Sequence, residues 1–138
     1  MNVPLVEITN VSKRFSTDEK APLSLQPLTS SIPKGEIVGL VGPDGAGKTT
    51  LIRLIAGLLL PTSGSISIAG LDTIKDATKI HSIIGYMPQK FGLYEDLTVM
   101  QNLTLYADLR AVFGKEREET FKKLLAFTNL ARFTDRLS

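Results

Sequence analysis

Cysteine is absent from the 138 residues, which closes disulfide and thiolate–metal readings. No stretch approaches the roughly 18 consecutive apolar residues that a bilayer-spanning helix needs. Charge of either sign is in short excess. Sixteen Lys and Arg against 14 Asp and Glu leave a net +2, too little to argue for nucleic acid or an anionic membrane surface as a partner. Met1-Asn2-Val3-Pro4 opens no signal-peptide pattern. Internal repeats and low-complexity segments are missing as well. A cytosolic setting fits these absences, and any action at a membrane is expected to go through a partner.

Hydrophobic residues make up 43% of the chain, enough for an ordinary core in one domain or part of a larger one. The chain is organised around residues 42–49, Gly-Pro-Asp-Gly-Ala-Gly-Lys-Thr, which have the spacing G-x-x-x-x-G-K-[ST]. The apolar run Ile37–Val41 feeds into this segment and the apolar run Leu51–Leu58 leads away from it. Strand, glycine loop and helix in that order form a phosphate cradle. Gly42, Gly45 and Gly47 let backbone N–H groups converge on an anion without side chains in the way. The following helix aims its unpaired N–H groups and positive dipole end at the same place. Lys48 is expected to reach the β- and γ-phosphates of a nucleotide, and the Thr49 hydroxyl to ligate Mg²⁺. A glycine turn that happens to carry Lys-Thr is the bland alternative.

The flanking elements can be read coarsely. Leu5–Thr9 forms a short strand. Ser16 to Pro22 is a loop, and Leu23 to Ile32 holds a second strand weakened by Pro27. Pro33-Lys34-Gly35 turns into a buried strand over 36–41. A helix runs from Gly47 to Leu59, with Arg53 outward and Pro61 as its stop. Its apolar positions 51, 52, 54, 55, 58 and 59 wrap most of the circumference, so it is expected to be buried against a sheet. Thr62-Ser63-Gly64 is a turn, Ser65–Ile68 a strand, Asp76–His81 a short helix and Ile83–Met87 a strand. Thr98 caps a helix, with Gln101 completing a capping box. A further helix covers 115–129, with Glu116, Glu118 and Glu119 in its first turn. His81, the only histidine, is expected at a surface or helix end.

The ordered set Ser12-Lys13-Arg14-Phe15, Gly42 to Thr50, Ala56-Gly57-Leu58 to Pro61-Thr62-Ser63-Gly64, Gly85-Tyr86-Met87-Pro88-Gln89, Leu93 to Val99 and Asn102-Leu103 resembles the N-terminal half of an ATP-binding cassette (ABC) transporter ATPase. The resemblance covers nearly the whole chain, and Tyr86 to Leu97 is most similar to bacterial multidrug-export ATPases. It implies an α/β P-loop fold with an N-terminal antiparallel β portion, an incomplete parallel sheet and the start of a helical subdomain. Residues 1–94 would form the nucleotide-binding core and β portion, and 95–138 the helical start. Phe15 resembles the aromatic that stacks on adenine; taken alone it could be a core or strand-end ring. Gln89 resembles the Q-loop glutamine that ligates Mg²⁺ or holds the attacking water. Taken alone, it would be a solvated loop residue. The implied ATP contacts are Phe15, Gly42, Pro43, Asp44, Gly45, Ala46, Gly47, Lys48, Thr49 and Thr50, with Lys48 and Gln89 catalytic and Thr49 and Gln89 on the metal. Asp44, where the family more commonly has Asn, is expected to face solvent or an opposing subunit.

The resemblance further implies a transmembrane permease subunit and a second ATP-binding domain as partners, no nucleic acid, and a location at the inner face of the membrane. The family's Leu-Ser-Gly-Gly signature, Walker B strand and switch histidine do not occur in these residues. Leu137-Ser138 is not read as the start of a signature, and the sequence is expected to be half of a longer protein. Without those groups the 138 residues are expected to bind ATP without hydrolysing it. Lacking a neighbour, the strand at 36–41 is expected to expose unpaired backbone and apolar side chains. A non-hydrolysing regulatory module, a soluble ABC protein acting on DNA or ribosomes, and a P-loop kinase or GTPase are the alternatives. The Q-loop setting disfavours the last.

Overall fold

The computed structural model describes residues 4–90 and 92–138. They fall into two compact units, one ending at Tyr86 and one running Met87–Ser138. No helix among the described residues is long and apolar enough to cross a membrane.

The first unit is built on an antiparallel sheet in the order β2-β1-β3-β4, comprising β1 (Val6–Lys13), β2 (Leu25–Ile32), β3 (Ser63–Ile68) and β4 (Leu71–Asp72). Alternation places Val6, Ile8, Ile66 and Ile68 on one face, where they join Val11, Leu25 and the helical residues Leu51, Leu54 and Ile80 in a single core. Each fully buried branched side chain contributes about 1.5–3 kcal/mol by leaving water. Pro27 is tolerated because β2 is an edge strand, and the proline falls in an irregular stretch between the paired residues Leu25 and Leu28. β1 is longer than its β-branched run suggests. A bulge at Asn10, with φ 48°, carries it past Thr9 to Val11 and Lys13. Gly64 lies under that bulge; a Cβ there would stand 2.3 Å from both the Thr9 and Asn10 carbonyl oxygens. Ser63 and Gly64 therefore belong to β3 rather than to a turn.

Helix α1 (Lys48–Ile55) ends earlier than Pro61 suggests. Gly57 adopts φ 67°, its N–H donates to the Leu54 carbonyl at 3.1 Å, and the Leu58 N–H donates to the Arg53 carbonyl at 2.9 Å. This is a Schellman motif, and the left-handed glycine is the stop. Only one side of α1 is covered: Leu51 and Leu54 are buried, while Ile52 is exposed, as is Leu58 beyond the helix end. Arg53 is exposed, as expected.

Two expected strands do not form. Residues 36–41 pair with no strand, and Ile37 is fully exposed with Val41 at 91%. Their apolar, β-branched composition favours extended backbone, but a ladder needs a neighbour, and the described residues provide none. Ile83 closes helix α2 (Ala77–Ile83) instead of opening a strand, and residues 84–88 likewise belong to no strand. Among the described residues the expected parallel sheet therefore does not form, and both runs lie outside any strand.

The second unit contains α3 (Val99–Leu109), α4 (Gly114–Phe127) and a 3₁₀ turn at Ala131–Phe133. Thr98 and Gln101 form the expected capping box: the Gln101 N–H donates to Thr98 Oγ1 at 3.2 Å, and the Thr98 N–H donates to Gln101 Oε1 at 2.8 Å. Arg117 on α4 donates to Asp108 on α3 at 2.7 Å. Because α4 starts at Gly114, only Glu116 lies in its first turn. Glu118 and Glu119 sit beyond it, where the helix dipole no longer acts on them.

Candidate functional site

The glycine loop enters α1 with Gly47 as N-cap, at φ 87°. Gly47 is required twice over. Its backbone is left-handed, and a Cβ there would lie 2.6 Å from the Ser24 carbonyl oxygen just before β2. The loop is closed by the Ala46 N–H donating to the Pro43 carbonyl at 3.3 Å, while α1 begins with the Leu51 N–H donating to the Gly47 carbonyl at 2.8 Å. Gly45, at φ 80°, has open space around it. Asp44 is exposed at the loop's tip, in keeping with a solvent-facing side chain.

Lys48 does not extend away from the loop. Its Nζ donates to the carbonyls of Gly42 at 2.7 Å and Pro43 at 2.6 Å, drawing the ammonium across the loop's mouth. Cation and helix N-terminus therefore act on one spot, an arrangement suited to a polyanion. Thr49 and Thr50 occupy the first turn of α1, with the Thr49 side chain exposed. A groove of about 440 Å³ adjoins the loop, lined by Leu25, Leu28, Leu40, Val41, Gly47 and Leu51 among others.

Phe15 stands just beyond β1 and is 62% exposed, so it is not a core residue. The Lys13 ammonium lies over its ring, 5.3 Å from the centroid. Phe15 does not line the groove beside the loop. His81 is exposed near the end of α2, as expected, with Nε2 3.0 Å from the Ala56 carbonyl oxygen.

Gln89 is exposed and belongs to the second unit. The loop following it is anchored by a residue to which no role was assigned from sequence. Asn102 is buried on α3, and its Oδ1 accepts from the Tyr94 N–H at 3.0 Å. Its Nδ2 lies 2.9 Å from the Tyr94 carbonyl, 3.2 Å from that of Leu97, 3.3 Å from that of Thr98 and 3.0 Å from the Ser138 hydroxyl. Tyr106 donates its hydroxyl proton to the Gly92 carbonyl. The sequence carried a signal for Asn102: it shares an apolar stripe with Val99, Leu103 and Tyr106, where a polar side chain must find partners.

No group of three or more His, Cys, Asp or Glu able to hold a metal occurs among the described residues. A Mg²⁺ ion does not require one. It keeps several waters and takes one or two protein oxygens plus phosphate oxygens. The exposed Thr49 hydroxyl beside the loop is a donor of that kind.

A family model described as ABC transporter matches residues 25–138. Among curated proteins, the chain is 54% identical over its full length to the probable multidrug ABC transporter ATP-binding protein YbhF of Escherichia coli (strain K12), of which it spans 24%. It is 36% identical to the ABC transporter ATP-binding protein NatA of Bacillus subtilis (strain 168), over 83% of this chain and 46% of NatA. Among solved structures, the dimeric structure of MJ0796, a bacterial ABC transporter cassette, superposes with a TM-score of 0.81 at 30% identity. That match covers 96% of this chain and 61% of the cassette. With the glycine loop and helix read from sequence and the loop geometry now described, the chain belongs to the ABC transporter family, as part of an ATP-binding cassette.

Proposed function

We propose that the chain binds ATP·Mg²⁺ and is the N-terminal part of the ATPase that drives an exporter of drugs or other small molecules. The loop geometry carries this reading: Lys48 and the N-terminus of α1 converge on one mouth. In the bound complex the Lys48 ammonium exchanges the Gly42 and Pro43 carbonyls for the β- and γ-phosphate oxygens, which are stronger, charged acceptors. Gly42, Pro43, Asp44, Gly45, Ala46 and Gly47 wrap the phosphates, with Thr50 behind them. The Thr49 hydroxyl holds Mg²⁺, which neutralises charge on the phosphates. Phe15 stacks on adenine, and Gln89 completes the metal and water site. Residues to about 94 serve as nucleotide-binding core and β portion, and 95–138 begin the helical subdomain.

Drugs or other small molecules as cargo are supported by the multidrug name of the relative at 54% identity. Direction does not follow from cassette similarity alone, since a methionine import ATP-binding protein from Corynebacterium jeikeium is 38% identical. MJ0796 has been solved as a dimer bound to ADP and phosphate, which supports a second ATP-binding domain as partner. A transmembrane permease subunit would hold the chain at the cytoplasmic face. The 138 residues by themselves bind without turnover, since the catalytic carboxylate and the opposing signature are supplied from outside them.

Isothermal titration calorimetry with ATP and Mg²⁺ should show one site, and Lys48→Ala should weaken it by about 10- to 100-fold. Equal affinity in the two proteins would remove the phosphate-cradle reading. Steady-state turnover by the unmodified chain, abolished in Lys48→Ala, would overturn the binding-only reading.

A further inference from the structure

Phe15 is not a bare ring on a loop. The Lys13 ammonium sits over it at 5.3 Å and also donates to the Leu60 carbonyl at 2.8 Å. The backbone around this pair is tied down: the Thr62 N–H donates to the Ser12 carbonyl at 2.8 Å, and the Arg14 N–H donates to Thr62 Oγ1 at 2.9 Å. The Arg14 guanidinium donates from Nε to the Ala21 carbonyl at 2.8 Å, which ties it to the loop that follows. One cation therefore covers one face of Phe15, while the residue as a whole remains 62% exposed.

A ring in this setting has unequal faces. The cation is attracted to the negative face it covers and restrains the ring's rotation. It also draws π density toward itself, leaving the opposite face better suited to stack on an electron-rich heteroaromatic plane. A mobile surface phenylalanine would have to be ordered at the moment of binding, at an entropic cost that this anchor removes in advance.

We propose that Lys13 is a positioning residue for base recognition: bridging the Leu60 carbonyl and the Phe15 ring, it fixes the ring so that one face is presented to a purine. This rests on the reading of Phe15 as the adenine platform. Lys13 contributes to affinity for the base and not to affinity for the phosphates.

The test compares ATP with inorganic tripolyphosphate, each with Mg²⁺, on the full chain. Lys13→Met keeps the length and apolar stem and removes the charge; it should weaken ATP about two- to fivefold and leave tripolyphosphate unchanged. Lys13→Arg should restore ATP binding to within about twofold. Phe15→Ala should weaken ATP about tenfold, again without effect on tripolyphosphate. Far-UV circular dichroism verifies that each variant folds. If Phe15→Ala weakens ATP and Lys13→Met does not, the role given to Lys13 is wrong and the platform reading survives. If Phe15→Ala leaves ATP affinity unchanged, the platform reading fails and the proposal fails with it. Equal loss of ATP and tripolyphosphate in Lys13→Met, or no rescue by Lys13→Arg, would make Lys13 a phosphate-facing charge or a fold support, and would also overturn it.

Discussion

The antiparallel sheet and the segment at 36–41 are both rich in β-forming residues, yet they end differently. In the sheet, β1 lies between β2 and β3, and its apolar side chains meet α1 and α2. Residues 36–41 carry Ile37, Val38, Leu40 and Val41, all exposed and none in a ladder. Composition is not the difference; the supply of partners is. Antiparallel strands pair with segments that the same chain brings back beside them. A parallel strand needs a neighbour delivered by a crossover.

Substitutions should separate these regions, most strongly where the sheet is tightest. Gly64→Ala puts a methyl group 2.3 Å from two carbonyl oxygens at the Asn10 bulge. Together with its left-handed backbone, this should cost about 3 kcal/mol or more in urea unfolding. A loss below about 1 kcal/mol would mean that the bulge yields easily. Next comes a matched pair of truncations. Ile66→Ala, in the core, should cost about 2–5 kcal/mol. Ile37→Ala, fully exposed, should stay within about 0.5 kcal/mol of the parent. Equal costs would show that 36–41 is covered in solution.

The smallest effect belongs to the sheet's short outer strand. The Asp72 carboxylate accepts backbone N–H bonds from Lys75 at 3.0 Å and Ile74 at 2.9 Å, and these lower its pKa below the usual 3.8. Asp76 is lowered too, first by its hydrogen bond from Lys79. A carboxylate with a lowered pKa in the folded state adds stability above its unfolded value, and that stability is lost as pH falls through the folded value. Thermal midpoints followed from about pH 5 to pH 2 should therefore fall slightly less in Asp72→Asn than in the parent. Parallel curves would show that this turn contributes nothing to the acid sensitivity of the sheet.

Features encoded by contiguous residues were legible in the sequence. The loop at 42–49 and the Thr98–Gln101 box depend on spacing alone, and both elements formed where expected. Features that depend on distant residues were less legible. β-branched runs at 36–41 and 83–87 signalled extended backbone but could not reveal whether a neighbour would pair with them. Pro61 was an obvious stop for α1, and it masked Gly57, which acts first because left-handed backbone ends a helix wherever packing allows it. The Asn10 bulge left no mark in a strand-like run; its tightest partner, Gly64, lies on another strand. Among the site residues, Lys48, Gly47 and Thr49 form one local group. Gln89 lies in the second unit, so the local spacing that brings those three together does not extend to it.

Asn102 has a mechanical consequence. One amide side chain joins the backbone at Tyr94, Leu97 and Thr98 and the hydroxyl of Ser138 to the first turns of α3. Held in this way, the segment 94–98 cannot slide along the helix without taking the Tyr94 N–H from its acceptor and the buried Asn102 amide from its own, so a force on that segment is passed to α3 as a displacement of the helix more than it is absorbed by loop bending.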